Sequence, residues 1–148
     1  HLPRTEATFK IGRASVLREG SDVTFIATGE PTEEAVQACD ILRGQGLSCG
    51  VISMHTVKPL DAAAVLRAAH NTRALVTVEE HSVHGGLGEA CAGLLMDQGT
   101  SVRFKAVGFP DEYMTTGSQG EIFRHYGLSP EGLAETASRL LTPEVVIG

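Results

Sequence analysis

The sequence predicts an α/β domain: a three-layer sandwich with a mainly parallel five-stranded sheet, one antiparallel edge strand and helices on both faces. Three observations carry that prediction. Short apolar segments of strand length alternate with segments of helical period, and only a few residues connect them. Right-handed crossovers between parallel strands then place helices on both faces. A short polar turn after the first strand segment supplies the antiparallel exception common in such sheets.

Residues 1–8 are polar, contain Pro3 and read as a lead-in. Residues 13–18 (RASVLR) and 22–28 (DVTFIAT) are strand segments separated by Glu19-Gly20-Ser21, and so short a link predicts a hairpin of antiparallel neighbours. Gly29 breaks the second strand and Pro31-Thr32 opens a helix. Ala35, Ala38, Cys39 and Leu42 form one apolar face of that helix, and Gly44 and Gly46 end it. Residues 49–54 are the next strand. Asp61 caps a helix over 62–70 with Val65, Leu66 and Ala69 inward. Residues 74–79 (ALVTVE) form a strand, 87–97 a helix after a glycine loop, and 102–107 a last strand. The loop at 108–120 is rich in Pro, Gly and Thr. Helices follow over 121–126 and 130–141, the latter with Ser129 as cap and Pro130 in its first turn.

A chain of 148 residues is long enough for one domain with a proper core, and no internal repeat or linker divides 1–148. Twelve basic against eighteen acidic side chains give a net charge of −6, the wrong sign for nucleic acid, and no basic cluster offsets it. No apolar run approaches the about 20 residues that span a bilayer, and HLPRTEATFK lacks the apolar core of a signal peptide. Cys39, Cys49 and Cys91 form neither a CxxC pattern nor a disulfide framework. They read as small buried thiols of a reducing compartment, so a cytoplasmic protein is expected.

In α/β sheets ligands gather at the carboxyl ends of the strands, where the stretch LVTVEEHSVHGGLGEAC stands out. Glu79, Glu80, His81 and His84 have the donor types for a divalent metal, but the spacing is not that of a helical HExxH and no further ligand joins them. No metal site is expected. Gly86-x-Gly88-x-x-Cys91 is a near miss for a dinucleotide fingerprint, with Asp111 about twenty residues on. The simpler reading is that Gly85, Gly86 and Gly88 allow a tight turn and close packing of helix on sheet. No G-x-S-x-G elbow is present, and no Ser or Cys nucleophile is visibly paired with His55, His70 or His125.

EGSDVTFIATGEPTEEAVQACDILRGQGLSCGVISMHTVKPLD, LVTVEEHSVHGGLGEA, VGFPDEYMTTGS and YGLSPEGLAETASRLL, in that order, resemble the C-terminal domain of the transketolase family, from about Phe9 to Leu141. That family includes transketolase, deoxyxylulose-phosphate synthase and the beta subunits of pyruvate-type dehydrogenases. EEHSVHGGLGEA looks most like transketolases encoded as two subunits; the synthases and dehydrogenase beta subunits carry a glycine where His81 stands. The resemblance implies a full enzyme that transfers a two-carbon ketol unit between sugar phosphates with thiamine diphosphate and Mg2+. It also implies that both are held by pyrimidine-binding and diphosphate-binding domains absent here, since this chain contains no Gly-Asp-Gly. No catalytic, cofactor-binding or metal residue is therefore carried over, and the isolated chain is expected to be inert.

An architectural lobe within a homo- or hetero-oligomer follows from the resemblance. His55, Glu80, His81, His84, Gly85, Gly86 and Gly88 are the candidates for an assembly contact or an anion site at the helix start. The rival readings are a nucleotide-binding or regulatory module, and a docking domain of a 2-oxoacid dehydrogenase beta subunit.

Overall fold

The computed structural model describes residues 13–80, 86–108, 121 and 124–142. The lead-in at 1–8 and the loop at 109–120 lie outside them, as does part of the helix expected over 121–126. Strands β1 (Ala14–Arg18), β2 (Val23–Ala27), β3 (Cys49–Met54), β4 (Ala74–Glu79) and β5 (Arg103–Gly108) form one sheet in the order β1-β3-β2-β4-β5. β2 runs parallel to β3 and β4, β4 runs parallel to β5, and β1 is the antiparallel edge. Helices α1 (Pro31–Gly44), α2 (Ala62–Asn71), α3 (Leu87–Asp97) and α4 (Pro130–Leu141) cover both faces. The three-layer α/β architecture and its single antiparallel edge agree with the sequence. Among the described residues no helix is long and apolar enough to cross a membrane.

The hairpin does not form. β1 pairs with β3, not with β2, in the register Ala14↔Met54 to Arg18↔Val51. The reason is a close backbone crossing. The link after β1 passes over the start of β3, where a Cβ on Gly20 would lie 2.2 Å from the Gly50 nitrogen and 2.3 Å from the Cys49 carbonyl carbon. Only a residue without a side chain lets the chain pass there to reach β2. β1 is bulged at Leu17, between Val16 and Arg18, and leaves Val16 and Leu17 exposed at the rim.

Strand alternation feeds two cores. Val23, Phe25, Val51, Val76 and Val78 pack under α1 and α4, against Ala35, Leu42, Leu133 and Ala137. Ile26, Ile52 and Leu75 face the other way, against Val65, Ala69, Leu87, Cys91 and Leu95 of α2 and α3. Burial on both faces explains why β2 and β4 are mostly apolar along their whole length, broken only by the buried Thr24, Thr77 and Glu79. Local signals hold where they were read: Asp61 accepts from the Ala64 N–H at 3.1 Å, and Ser129 from the Gly132 N–H at 3.1 Å. The second Asp61 oxygen accepts from the Ala14 N–H at 2.7 Å, tying the edge strand to α2. Replacing Gly20 by Ala should lower stability by about 1–3 kcal/mol in urea unfolding, because the added methyl meets backbone that cannot yield. A neutral Gly20→Ala would show that the crossing is looser than described.

Candidate functional site at the carboxyl end of the sheet

The last residue of β4, Glu79, is only 6% exposed and ends a strand whose every residue is buried. Its carboxylate reaches across to the start of α3. One oxygen accepts from the Leu87 N–H at 3.0 Å and the other from the Gly88 N–H at 2.9 Å. First-turn amides have no acceptor within their own helix and sit at the positive end of its dipole. A buried carboxylate held by two such donors is satisfied by charge-assisted bonds. The start of α3 is thus capped by the protein's own anion.

Gly88 makes this possible. A Cβ there would lie 2.7 Å from the Ala106 Cβ, 3.2 Å from Thr77 Oγ1 and 3.3 Å from the Glu79 carboxylate. The glycine serves close packing of helix on sheet, the simpler reading of the Gly-rich loop. A dinucleotide diphosphate would meet Glu79 where it needs free amides. Glu79 is also withdrawn from the metal-donor set considered above. Sequence reasoning left it out of the contact candidates, because its partners come from across the loop and no local capping spacing marks it. Thr77 Oγ1, beside it, is buried without a hydrogen-bond partner among the described residues.

The other candidates are spread along the same end. Glu80 is partly buried, and its carboxylate lies 3.7 Å from where a Cβ on Gly29 (φ +71°) would stand. His55 is exposed after β3, with its Nε2 2.8 Å from the Ser15 hydroxyl of β1. The end of β2 separates the two, since β2 lies between β3 and β4. Gly86 is the extended N-cap of α3, at φ −105°, and Gly88 is buried in its first turn. His81, His84, Gly85 and Asp111 lie outside the described residues. Among the described residues, no group of three or more His, Cys, Asp or Glu could hold a metal ion.

All three cysteines are buried free thiols. Cys39 donates to the Cys49 carbonyl at 3.0 Å. Burial, reinforced by the Cys39 thiol, pushes the Cys49 thiol well above the ordinary range. Burial, reinforced by the charge of Glu79, pushes the Cys91 thiol up to about 12. Neither supplies a thiolate near neutrality.

A doubly wound α/β lobe whose carboxyl end is closed by an internal helix cap, with a polar rim around it, is the class of protein these features define. The chain belongs to the transketolase C-terminal domain family, whose model matches residues 12–133. It is 43% identical over 129 residues to an apulose-4-phosphate transketolase subunit of Phocaeicola vulgatus, covering 87% of this chain and 41% of that protein. It is 38% identical over 140 residues to 1-deoxy-D-xylulose-5-phosphate synthase of Syntrophotalea carbinolica, covering 95% of this chain and 22% of that one. Among solved structures, a split-gene transketolase described as an inactive beta4 tetramer superposes with a TM-score of 0.81 at 34% identity, over 90% of this chain and 42% of that chain. The chain thus spans about two fifths of the split transketolase subunits and about a fifth of the synthase. These relatives support neither the nucleotide-module nor the dehydrogenase-docking reading.

Glu79→Gln keeps the shape but turns its NH2 donor toward one of the two helix N–H groups. It should cost about 1–3 kcal/mol in urea unfolding, where a change at an exposed position outside any helix, such as Glu19→Gln, costs almost nothing. A neutral Glu79→Gln would contradict the capping role. For Cys91, the folded thiol titrates above its usual 9.0, so its contribution to stability is complete below pH 9.0 and is lost as pH rises toward about 12. Disulfide-exchange reagents at pH 8 should label Cys91 slowly in the folded protein and readily in urea; equal rates would show an accessible thiol.

Proposed function

We propose that this chain is the C-terminal supporting lobe of a thiamine-diphosphate-dependent, transketolase-type transferase. The full enzyme moves a two-carbon ketol unit between sugar phosphates, and companion pyrimidine-binding and diphosphate-binding domains hold the cofactor and its Mg2+. The observation that carries this reading is one of proportion: nearly the whole chain matches the apulose-4-phosphate transketolase subunit, yet it spans only 41% of that protein. The donor chemistry of the lobe supports it. A metal–diphosphate cradle needs free carboxylates and free helix amides, whereas Glu79 and the amides of Leu87 and Gly88 are committed to each other. That commitment supports a cofactor held elsewhere in the enzyme.

The lobe therefore acts through assembly. The rim of His55 and Glu80, together with His81, His84, Gly85 and Gly86, is the proposed contact with the companion domains. One relative is named as a subunit of its transketolase and another as a beta4 tetramer, which supports an oligomer. The test is reconstitution. The chain alone should show no ketol transfer and no calorimetric binding of thiamine diphosphate with Mg2+. Adding the companion domains should give turnover that depends on both. Turnover of a ketose donor by the chain unaided would refute the proposal.

A further inference from the structure

At the far edge of the sheet from β1, β5 has no neighbour on its outer side among the described residues. The Arg103 N–H turns inward to the Arg73 carbonyl at 3.4 Å. Strand alternation then points the main-chain groups of Phe104 and Ala106 outward, as a template for another strand. The side chains alternate as well: Phe104 joins the core beneath α2 and α3, while Arg103 and Lys105 are exposed on the side of α4.

Between β5 and α4 runs a groove. One hollow of about 300 Å³ is lined by Lys105, Thr136, Arg139 and Leu140. A second, of about 380 Å³, shares Arg139 and Leu140 with it and continues to Arg103 and Thr142. The groove follows the strand, with an aliphatic side chain in it and three cations along its walls. Arg103 is already positioned, donating to the Leu140 carbonyl at 2.8 Å. Arg139 is paired with Glu135 within the helix, but both side chains are largely exposed and the pair is weak enough to exchange. Lys105 forms no ion pair among the described residues. Among the described residues, the groove carries three cations against one neighbouring carboxylate, Glu135, in a chain of net charge −6.

Charges on an edge strand also discourage pairing with like edges, and that simpler explanation accounts for Arg103 and Lys105. It does not account for a lined groove beside them, nor for Arg139 facing it from another element. We propose that the open edge of β5 and this groove receive an extended acidic peptide, which adds as a sixth strand. Its carboxylates would meet Lys105, Arg139 and Arg103, and its aliphatic side chains would meet Leu140. Charge complementarity selects an acidic partner and disfavours a second β5 edge. The aliphatic contact favours a peptide over nucleic acid, which binds in single-stranded form by stacking bases on aromatic rings.

The test uses the full-length protein and a labelled peptide alternating Glu and Val, followed by fluorescence anisotropy. The expected result is saturable binding that weakens as salt rises. It should fall about tenfold or more in Lys105→Glu with Arg139→Glu, with the melting temperature little changed. Lys105→Glu alone, at an exposed strand position, gives a smaller loss in the same direction and guards against misfolding of the double variant. Hydrogen exchange at the Phe104 and Ala106 amides should slow in the bound state. The proposal is overturned by absence of binding, by equal binding of a Lys-Val peptide or of a single-stranded oligonucleotide, by indifference to Lys105→Glu, or by unchanged exchange at Phe104 and Ala106.

Discussion

The carboxylate of Glu79 holds the end of β4 and the first turn of α3 in one rigid unit. Burying a charge is costly unless it is fully hydrogen-bonded, and two helix amides of favourable dipole meet that condition. Much of the carboxyl end depends on this bond. It fixes where α3 begins, it requires a glycine at 88, and it places a negative charge beside Cys91. It also determines what this end of the sheet does chemically. The Glu79 carboxylate and the Leu87 and Gly88 amides are engaged with each other and are not offered to a ligand.

A second constraint acts at the opposite end. Asp22 accepts from the Ser48 N–H at 2.7 Å, and its own carbonyl receives the N–H groups of Arg73 and Ala74. The amino ends of β2, β3 and β4 are thereby gathered around one residue. The link preceding Asp22 crosses β3 through Gly20, which lets β1 sit outside β3 with β2 in the middle of the sheet. The most apolar strands thus end up central, and the weakly apolar, bulged β1 takes an edge.

Features governed by neighbours in sequence were legible before the structure. The capping of α2 by Asp61 and of α4 by Ser129 follows from side chains acting three residues away. The apolar face of α1 and the buried runs of β2 and β4 follow from periodicity alone. What escaped depends on contacts across the fold. A short link between β1 and β2 suggests a hairpin unless Gly20 is known to lie on Gly50. Glu79 and Glu80 look like a pair in sequence, yet alternation sends one carboxylate under α3 and the other toward Gly29. His55 shares the same end but is joined to Ser15 on the edge strand, with β2 between it and Glu80. The family resemblance survived these errors because it rests on the order of motifs, not on their pairing.

Native-state hydrogen exchange at the Leu87 and Gly88 amides tests the central claim most directly. If Glu79 locks helix to strand, both amides should be protected to the same degree as the interior of β4 and exchange only when the domain unfolds as a whole. Exchange at the rate of frayed helix-terminal amides, while β4 stays protected, would contradict the account.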